Sequence, residues 1–286
     1  MRRAVRLPLT VAALAVVALT VVALTVVARA HHAVPPRSTD PATLILRVRT
    51  VIGMPSPHIA EIPEFSLYGD GRLLRPGTTA GTLQTIEELH LDAGDVDRIY
   101  RAAHRAGLDR DGRYEDNSAV DAGLLITTLR SGDRTYVIQA VEGGQSGGPV
   151  GRIERFRATL RPDALRKDPA SGGPPPYRPE RLAAVAWGGG TVTPMPSDGP
   201  ASTGAASSFP PPGADVRPWP FAPLATATRI NEGLCVPLSG ADLTAAERLA
   251  RQATPATLWR SGTSVLHVVF RPLLPDERSC ADIDWH

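Results

Sequence analysis

Residues 144–149, with the sequence Gly-Gln-Ser-Gly-Gly-Pro, place a single serine hydroxyl in a glycine-rich turn. A serine held in such a turn can attack a carbonyl carbon if a histidine takes its proton and nearby N–H groups bind the oxyanion. Chemistry of this kind would make the protein a serine hydrolase. Ser146 is therefore the first candidate catalytic residue.

The same six residues resemble the nucleophile loop of chymotrypsin-like serine proteases, in which His and Asp precede Ser. The candidate base is His104, which lies 42 residues before Ser146 on the polar side of a predicted helix. Barrels between such residues need on the order of a hundred positions. The glycines and Pro149 also suit a loop that enters a helix. We predict that Ser146 is not a nucleophile and that the protein is not an enzyme, with a serine hydrolase using Ser146 as the alternative.

An acid-rich segment, residues 109–121, has oxygen donors of the kind that bind extracellular Ca²⁺. The candidate ligands are Asp109, Asp111, Glu115 and Asp116. An EF-hand loop is excluded, because an arginine stands at a ligand position and the closing glutamate is absent. We predict a solvated loop, with an extracellular metal-binding module as a further alternative.

The first thirty residues have the pattern of an export signal. Three arginines come first, residues 7–28 are uncharged and almost wholly apolar, and Ala28-Arg29-Ala30 suits signal cleavage. The apolar run is also long enough to span a bilayer. The segment is predicted to be a signal peptide or an N-terminal transmembrane anchor. Either alternative places residues 31–286 outside the cytoplasm, secreted or anchored to the cell membrane.

Cleavage after Ala30 would make His31 the first residue of the exported chain. Its amino group and imidazole could then chelate copper, as in the histidine-brace oxygenases. That chemistry needs a further imidazole from elsewhere in the chain, and beyond the adjacent His32 the next histidine is His58. We predict a mobile terminal tail, and the sequence predicts neither a metal nor another cofactor.

The basic charge of the chain belongs to its first thirty residues. They carry four arginines and no acid, so the remainder has 27 basic and 29 acidic side chains, a formal charge of −2. A chain without a basic surplus does not favour nucleic-acid binding. The expected partners are an envelope component or a small ligand, and the membrane itself if the N-terminal segment stays uncleaved.

Cys235 and Cys280 are the two cysteines of the chain. In an oxidising compartment an even pair is most simply a disulfide. A zinc site would need more ligands at close spacing. The sequence therefore predicts a Cys235–Cys280 bond.

Hydrophobic periodicity predicts an α+β protein. Residues 43–52 alternate as a half-buried strand, and 65–74 form a hairpin around Gly-Asp-Gly. Asp92 caps a helix that Gly107 ends. Thirteen of the 28 prolines lie within 169–220, which predicts a linker. The predicted segments are the signal or anchor (1–30), a spacer (31–42), a first α+β unit (43–165), a Pro/Gly/Ser-rich linker with a possible strand at 181–187 (166–217), and a second α+β unit (218–286).

The two predicted units share an order of elements. Residues 89–107 and 235–254 both read as a strand followed by a helix, and each leads to an Arg-Ser-Gly turn, at 130–132 and 260–262. We interpret them as two β-α-β-β-like units with antiparallel sheets and packed helices. Chance similarity of two ordinary helices is the alternative.

The segments FSLYGDGRLLRPG (65–77), LDAGDVD (91–97) and WRSGTSVLHVVFRPLLPDERSC (259–280) resemble a family of exported proteins from GC-rich bacteria. The resemblance covers most of residues 42–280, except the linker. That family has no assigned activity, so the resemblance implies export and a mixed α+β fold and transfers no catalytic residue. The predicted function is that of an extracytoplasmic cell-envelope protein that binds or interacts without catalysis.

Overall fold

The apolar runs of the chain form two β-sheets, each covered on one face by helices. The computed structural model describes residues 34–51, 61–114, 123–141, 147–161, 165, 174–188, 210–211, 213–230 and 233–283. Both sheets lie in the unit formed by Arg37–His286. The α+β class predicted from periodicity is therefore correct.

The first sheet contains seven strands. They are β1 (Leu44–Val51), β2 (Phe65–Tyr68), β3 (Arg72–Pro76), β4 (Ile86–His90), β5 (Gly112–Tyr114), β6 (Leu124–Ser131) and β7 (Arg134–Val141). Their order is β4-β3-β2-β1-β6-β7-β5, antiparallel except for the parallel pair β5 and β7. The hairpin predicted around Gly-Asp-Gly is β2–β3, with Leu67 opposite Leu73.

The second sheet contains six strands. They are β8 (Arg181–Trp187), β9 (Val216–Pro218), β10 (Thr228–Ile230), β11 (Gly233–Ser239), β12 (Leu258–Ser261) and β13 (Ser264–Pro272). Their order is β10-β11-β8-β13-β12-β9, with only β9 and β12 parallel. β8 covers the residues of the possible strand in the Pro-rich segment, and it lies in the middle of this sheet between β11 and β13.

Three α-helices pack on these sheets within the described residues: α1 (Ala93–Ala106), α2 (Gly148–Ala158) and α3 (Ala241–Gln252). As predicted, Asp92 caps α1 by accepting the N–H of Asp95 at 2.8 Å, and Gly107 ends it. α1 and α2 cover one face of the first sheet, and α3 covers one face of the second through Ala246 and Ala250. None of the described helices is long and apolar enough to cross a membrane. Residues 1–30 lie outside the described part.

The proposed repeat stays a prediction, and the corresponding strands have different neighbours in the two sheets. Three strands separate β4 from β6 in the first sheet, whereas only β8 separates β11 from β13 in the second. In the first sheet, the β6–β7 hairpin pairs with the neighbouring strand β1 through its first strand, β6. In the second sheet, the β12–β13 hairpin pairs with the neighbouring strand β8 through its second strand, β13. The common order of elements therefore leads to different strand neighbours.

β1 departs from the half-buried strand that its alternation predicts. Ile45, Leu46 and Val48 are buried, and so is Arg49, which is 7% exposed. The reason is that α1 and α2 cover one face of β1, whereas chain from the end of the second sheet lies against Arg47 on the other face. Alternating polar residues in this strand mark a second protein interface instead of solvent.

Two sets of contacts join the sheets. Beyond the end of β12, the free edge of β13 is taken by residues 82–84, through hydrogen bonds of Phe270 N to Thr82 O and Gln84 N to Phe270 O, both 2.9 Å. On the other side, Arg47 Nη2 lies 2.8 Å from Asp276 Oδ1, just after β13. Backbone hydrogen bonds and an ion pair therefore both hold the first and second sheets together.

The predicted disulfide is present. Cys235 of β11 is bonded to Cys280, with the two Cα atoms 5.9 Å apart. Cys280 begins a short 3-10 turn that packs, with Leu273 and Ile283, on the face of the second sheet opposite α3. The bond thereby closes the C-terminal segment over that face.

Candidate functional site

One row of side chains crosses four strands of the first sheet on the face that carries the helices. Val48 lies opposite Phe65, and Arg75 lies opposite Glu87. Because Ser66 is paired with Leu74, the antiparallel register also sets Phe65 beside Arg75. This row is the floor of a cleft whose other wall is α2 and the turn that follows it.

The cleft has a volume of about 770 Å³. Cavities of this size hold small organic ligands, which they contact mainly through apolar side chains with a few polar groups. Val48, Phe65, Pro76, Ala158 and Leu160 give it an apolar lining.

Six charged side chains also line the cleft, and their formal charges cancel: Glu64, Arg75, Glu87, Glu154, Arg157 and Arg161. Two ion pairs hold four of them. Arg157 forms a fork with Glu64, with Nε–Oε2 at 2.9 Å and Nη2–Oε1 at 2.6 Å. This pair ties α2 to the chain just before β2.

The second pair joins neighbouring strands. Arg75 donates to Glu87 Oε2 from Nε at 2.9 Å and from Nη2 at 2.6 Å. Arg75 is buried, and its Nη1 has no hydrogen-bond partner in the described part of the chain. The pair therefore fixes the guanidinium in the floor and leaves one donor nitrogen unused.

Glu154 and Arg161 complete the lining. Glu154 is half-buried and Arg161 is exposed, and neither makes an ion pair with another described residue. They are seven positions apart along α2 and its C-terminal turn, which corresponds to about 10 Å at the rise of a helix. The cleft therefore presents one acid and one base, separated along an apolar surface.

Of the candidate residues predicted from the sequence, the structure describes Asp109 and Asp111, and neither lines this cleft. Ser146 lies outside the described residues, and α2 begins after it, with Gly147 as a cap that has no side chain. Asp111 Oδ1 accepts the N–H of Val137 at 2.8 Å, and Asp109 Oδ2 lies 3.5 Å from His104 Nδ1. Both carboxylates therefore have partners within the protein.

The other metal candidates, Glu115, Asp116 and His31, lie outside the described residues. Within the residues that are described, no group of three or more His, Cys, Asp or Glu side chains could hold a metal ion. The described structure thus brings no metal-ligand set together.

The His104 side chain is more buried than the sequence predicts. The sequence places it on the polar side of α1, but its side chain is only 7% exposed, because the β6–β7 hairpin covers the last turn of the helix. Amphipathic periodicity identifies the face of α1 that meets the sheet and does not reveal a hairpin packed beside it.

Sequence reasoning missed every residue of the cleft. Glu64 and Arg157 are 93 positions apart, and the row from Val48 to Glu87 depends on strand order. The one signal in the sequence that could have pointed to the cleft is a charged residue within a predicted strand, as at Arg75. The chain matches no protein-family model, no curated protein and no solved structure.

Proposed function

We propose that this protein acts outside the cytoplasm and that its cleft binds a ligand without catalysing a reaction. Its ligand is a small molecule with an apolar body and two separated, opposite charges. The observation that carries the proposal is the cleft between α2 and the first sheet, in which Glu154 and Arg161 flank an apolar lining.

The internal ion pairs support this assignment. Arg75 and Arg157 already have carboxylate partners, so they shape the cleft and contribute little net charge to it. A ligand with a single charge would leave either Glu154 or Arg161 without a partner. A zwitterion whose charges lie about 10 Å apart satisfies both, and its methylene body covers the apolar lining.

Three probes with the same chain length test the ligand class: 8-aminooctanoic acid, octanoic acid and octylamine. By calorimetry we expect the zwitterion to bind up to about fivefold more tightly than either singly charged probe, since each ionic contact contributes about 1 kcal/mol at a partly exposed site. Equal binding of all three probes, or binding of none, would contradict the proposal.

Two variants assign the contacts. Arg161→Ala should abolish the preference for the zwitterion over octylamine, and Glu154→Gln should abolish the preference over octanoic acid. Arg152→Ala is the matched control, because Arg152 is an exposed residue of α2 that does not line the cleft.

The extracytoplasmic location is supported by the N-terminal pattern and is compatible with the disulfide. Alkaline phosphatase fused after residue 40 is active only when exported, so the fusion should be active in a bacterial host. The intact mass of the exported chain then distinguishes a cleaved signal from a retained anchor. An inactive, stable fusion would refute export.

A further inference from the structure

The last turn of α1 and the β6–β7 hairpin bring three polar side chains together away from the cleft. Tyr100 and His104 lie one turn apart on α1, with their rings edge to face at 4.8 Å. Ser131, the last residue of β6, contacts both. Tyr100 Oη donates to Ser131 Oγ at 3.3 Å, and Ser131 Oγ lies 3.2 Å from His104 Nε2.

A carboxylate lies on the opposite side of the same imidazole. After Gly107 ends α1, the chain turns back and places Asp109 Oδ2 3.5 Å from His104 Nδ1. A carboxylate beside Nδ1 favours the tautomer that carries its proton there. Nε2 is then the acceptor, and the Ser131 hydroxyl is the donor to it.

We propose that Ser131, His104 and Asp109 form a nucleophilic triad that hydrolyses small esters. Ser131 is the nucleophile, His104 the general base, and Asp109 a positioning residue that orients the imidazole. The structure joins these roles in one line of contacts from Oγ to Nε2 and from Nδ1 to the carboxylate. None of the three residues lines the cleft, so this inference is independent of the proposed ligand.

The reaction has two balanced steps. Ser131 Oγ bonds to the ester carbonyl carbon as its proton passes to His104 Nε2, and the alkoxide leaves with that proton. Water then gives a proton to His104 and attacks the acyl carbon, releasing the carboxylic acid and restoring the Ser131 hydroxyl. To the oxyanion we assign the N–H of Gly132, the residue that follows Ser131 and lies outside the strand pairing.

Burial limits the substrate. Ser131 is only 7% exposed, whereas Asp109 is about 40% exposed. A hydroxyl with so little exposed surface admits only a small acyl group. We therefore expect acetyl esters, and not long-chain esters, to react.

The second hairpin contains a matched serine. Ser261 occupies the corresponding Arg-Ser-Gly turn, but its Oγ accepts the N–H of Leu224 at 3.0 Å. No His ring contact of Ser261 occurs within the described part of the chain. A serine in such a turn thus does not need an imidazole, and Ser261→Ala is a control for loss of a turn hydroxyl.

The test is covalent labelling of the full exported chain with a small fluorophosphonate, located by peptide mass spectrometry. We expect the adduct on Ser131 of the wild-type protein. Ser131→Ala should lose it, whereas Ser261→Ala should be labelled at the wild-type rate. His104→Ala should slow labelling by about 100-fold or more, the usual contribution of a general base. An adduct on Ser146, or no adduct on Ser131, would overturn the proposal.

Turnover of 4-nitrophenyl acetate tests the positioning role. Asp109→Asn should lower kcat by at least about tenfold with KM unchanged, because it disturbs the imidazole and not the acyl group. Equal loss of kcat in Asp109→Asn and in Ser261→Ala would assign the three residues to packing alone. The location of the wild-type adduct decides the question even if a variant does not fold.

Discussion

Arg271 and Glu277 form a forked ion pair in the interior of the protein. Arg271 Nη1 lies 2.6 Å from Glu277 Oε2, and Nη2 lies 2.9 Å from Oε1. Neither side chain is more than 1% exposed. Glu277 also accepts the N–H of Leu274, and Arg47 of the first sheet lies 3.8 Å from it. This carboxylate therefore closes the turn after β13 and faces both sheets.

Glu277→Gln should lower the free energy of unfolding by about 3–5 kcal/mol, because it leaves the buried Arg271 guanidinium without a counter-charge. Urea unfolding at pH 7 measures the change. The control is Arg98→Ala, which removes an exposed ion pair with Asp95 on α1 and should cost less than about 1 kcal/mol. Equal losses in both variants would show that the buried pair contributes nothing.

Acid should weaken the wild-type protein through the same residue. Burial alone would raise the pKa of Glu277, but the charges of Arg271 and Arg47 and the hydrogen bonds lower it to about 2, from 4.5. The folded-state pKa is thus the lower one, so the contribution is complete above about pH 4.5 and is lost as the pH falls toward 2. It amounts to about 3 kcal/mol, since one pKa unit is about 1.4 kcal/mol. The stability difference between wild type and Glu277→Gln should shrink over that range, and a constant difference would refute this account.

Tyr68→Phe should cost about 2 kcal/mol, the usual value for a hydrogen bond to a charged group. Tyr68 Oη donates to Asp276 Oδ1 at 2.5 Å, and burial raises the pKa of the phenol, so the donor keeps its proton. In the Tyr68→Phe, Asp276→Asn double variant, the loss of stability should be smaller than the sum of the losses in the two single variants. Tyr136→Phe serves as control, because the Tyr136 hydroxyl makes no hydrogen bond within the described residues.

Reduction of the Cys235–Cys280 bond should lower the free energy of unfolding by about 4 kcal/mol, from the entropy of closing its 45-residue separation. Urea unfolding with and without a reductant measures this, and a thiol assay confirms reduction. The Cys235→Ser, Cys280→Ser double variant should not respond to reductant. An unchanged midpoint in the reduced wild type would contradict the prediction.

Gly81→Ala tests the close backbone contact between the segment before β4 and the end of α3. A Cβ at Gly81 would lie 2.6 Å from Ala253 O at the end of α3, and φ is +65°. Gly262 has nearly the same φ, +61°, but no atom within 4 Å of the added Cβ. We expect Gly262→Ala to cost about 1 kcal/mol for backbone strain and Gly81→Ala at least about 3 kcal/mol. Thermal unfolding compares them, and similar losses would mean that the contact at Gly81 can relax.

Most of the local elements were predictable, whereas the candidate sites were not. Asp92 and Gly107 mark the ends of α1 because capping depends on residues within one helical turn. The β2–β3 hairpin was predictable from its turn for the same reason. The cleft residues escaped prediction because each becomes a neighbour of the others only through strand order and the docking of α2.

The sequence by itself determined the α+β class, the main helix and hairpin boundaries and the Cys235–Cys280 pair, because periodicity, capping and a single pair of thiols are local or exhaustive signals. Only the tertiary structure decided that both faces of β1 are buried and that Arg47 meets Asp276, 229 positions away. It also decided that His104 lies against Ser131. Such contacts depend on which strands pair and on how two sheets pack, and the spacing of residues along one chain does not specify either.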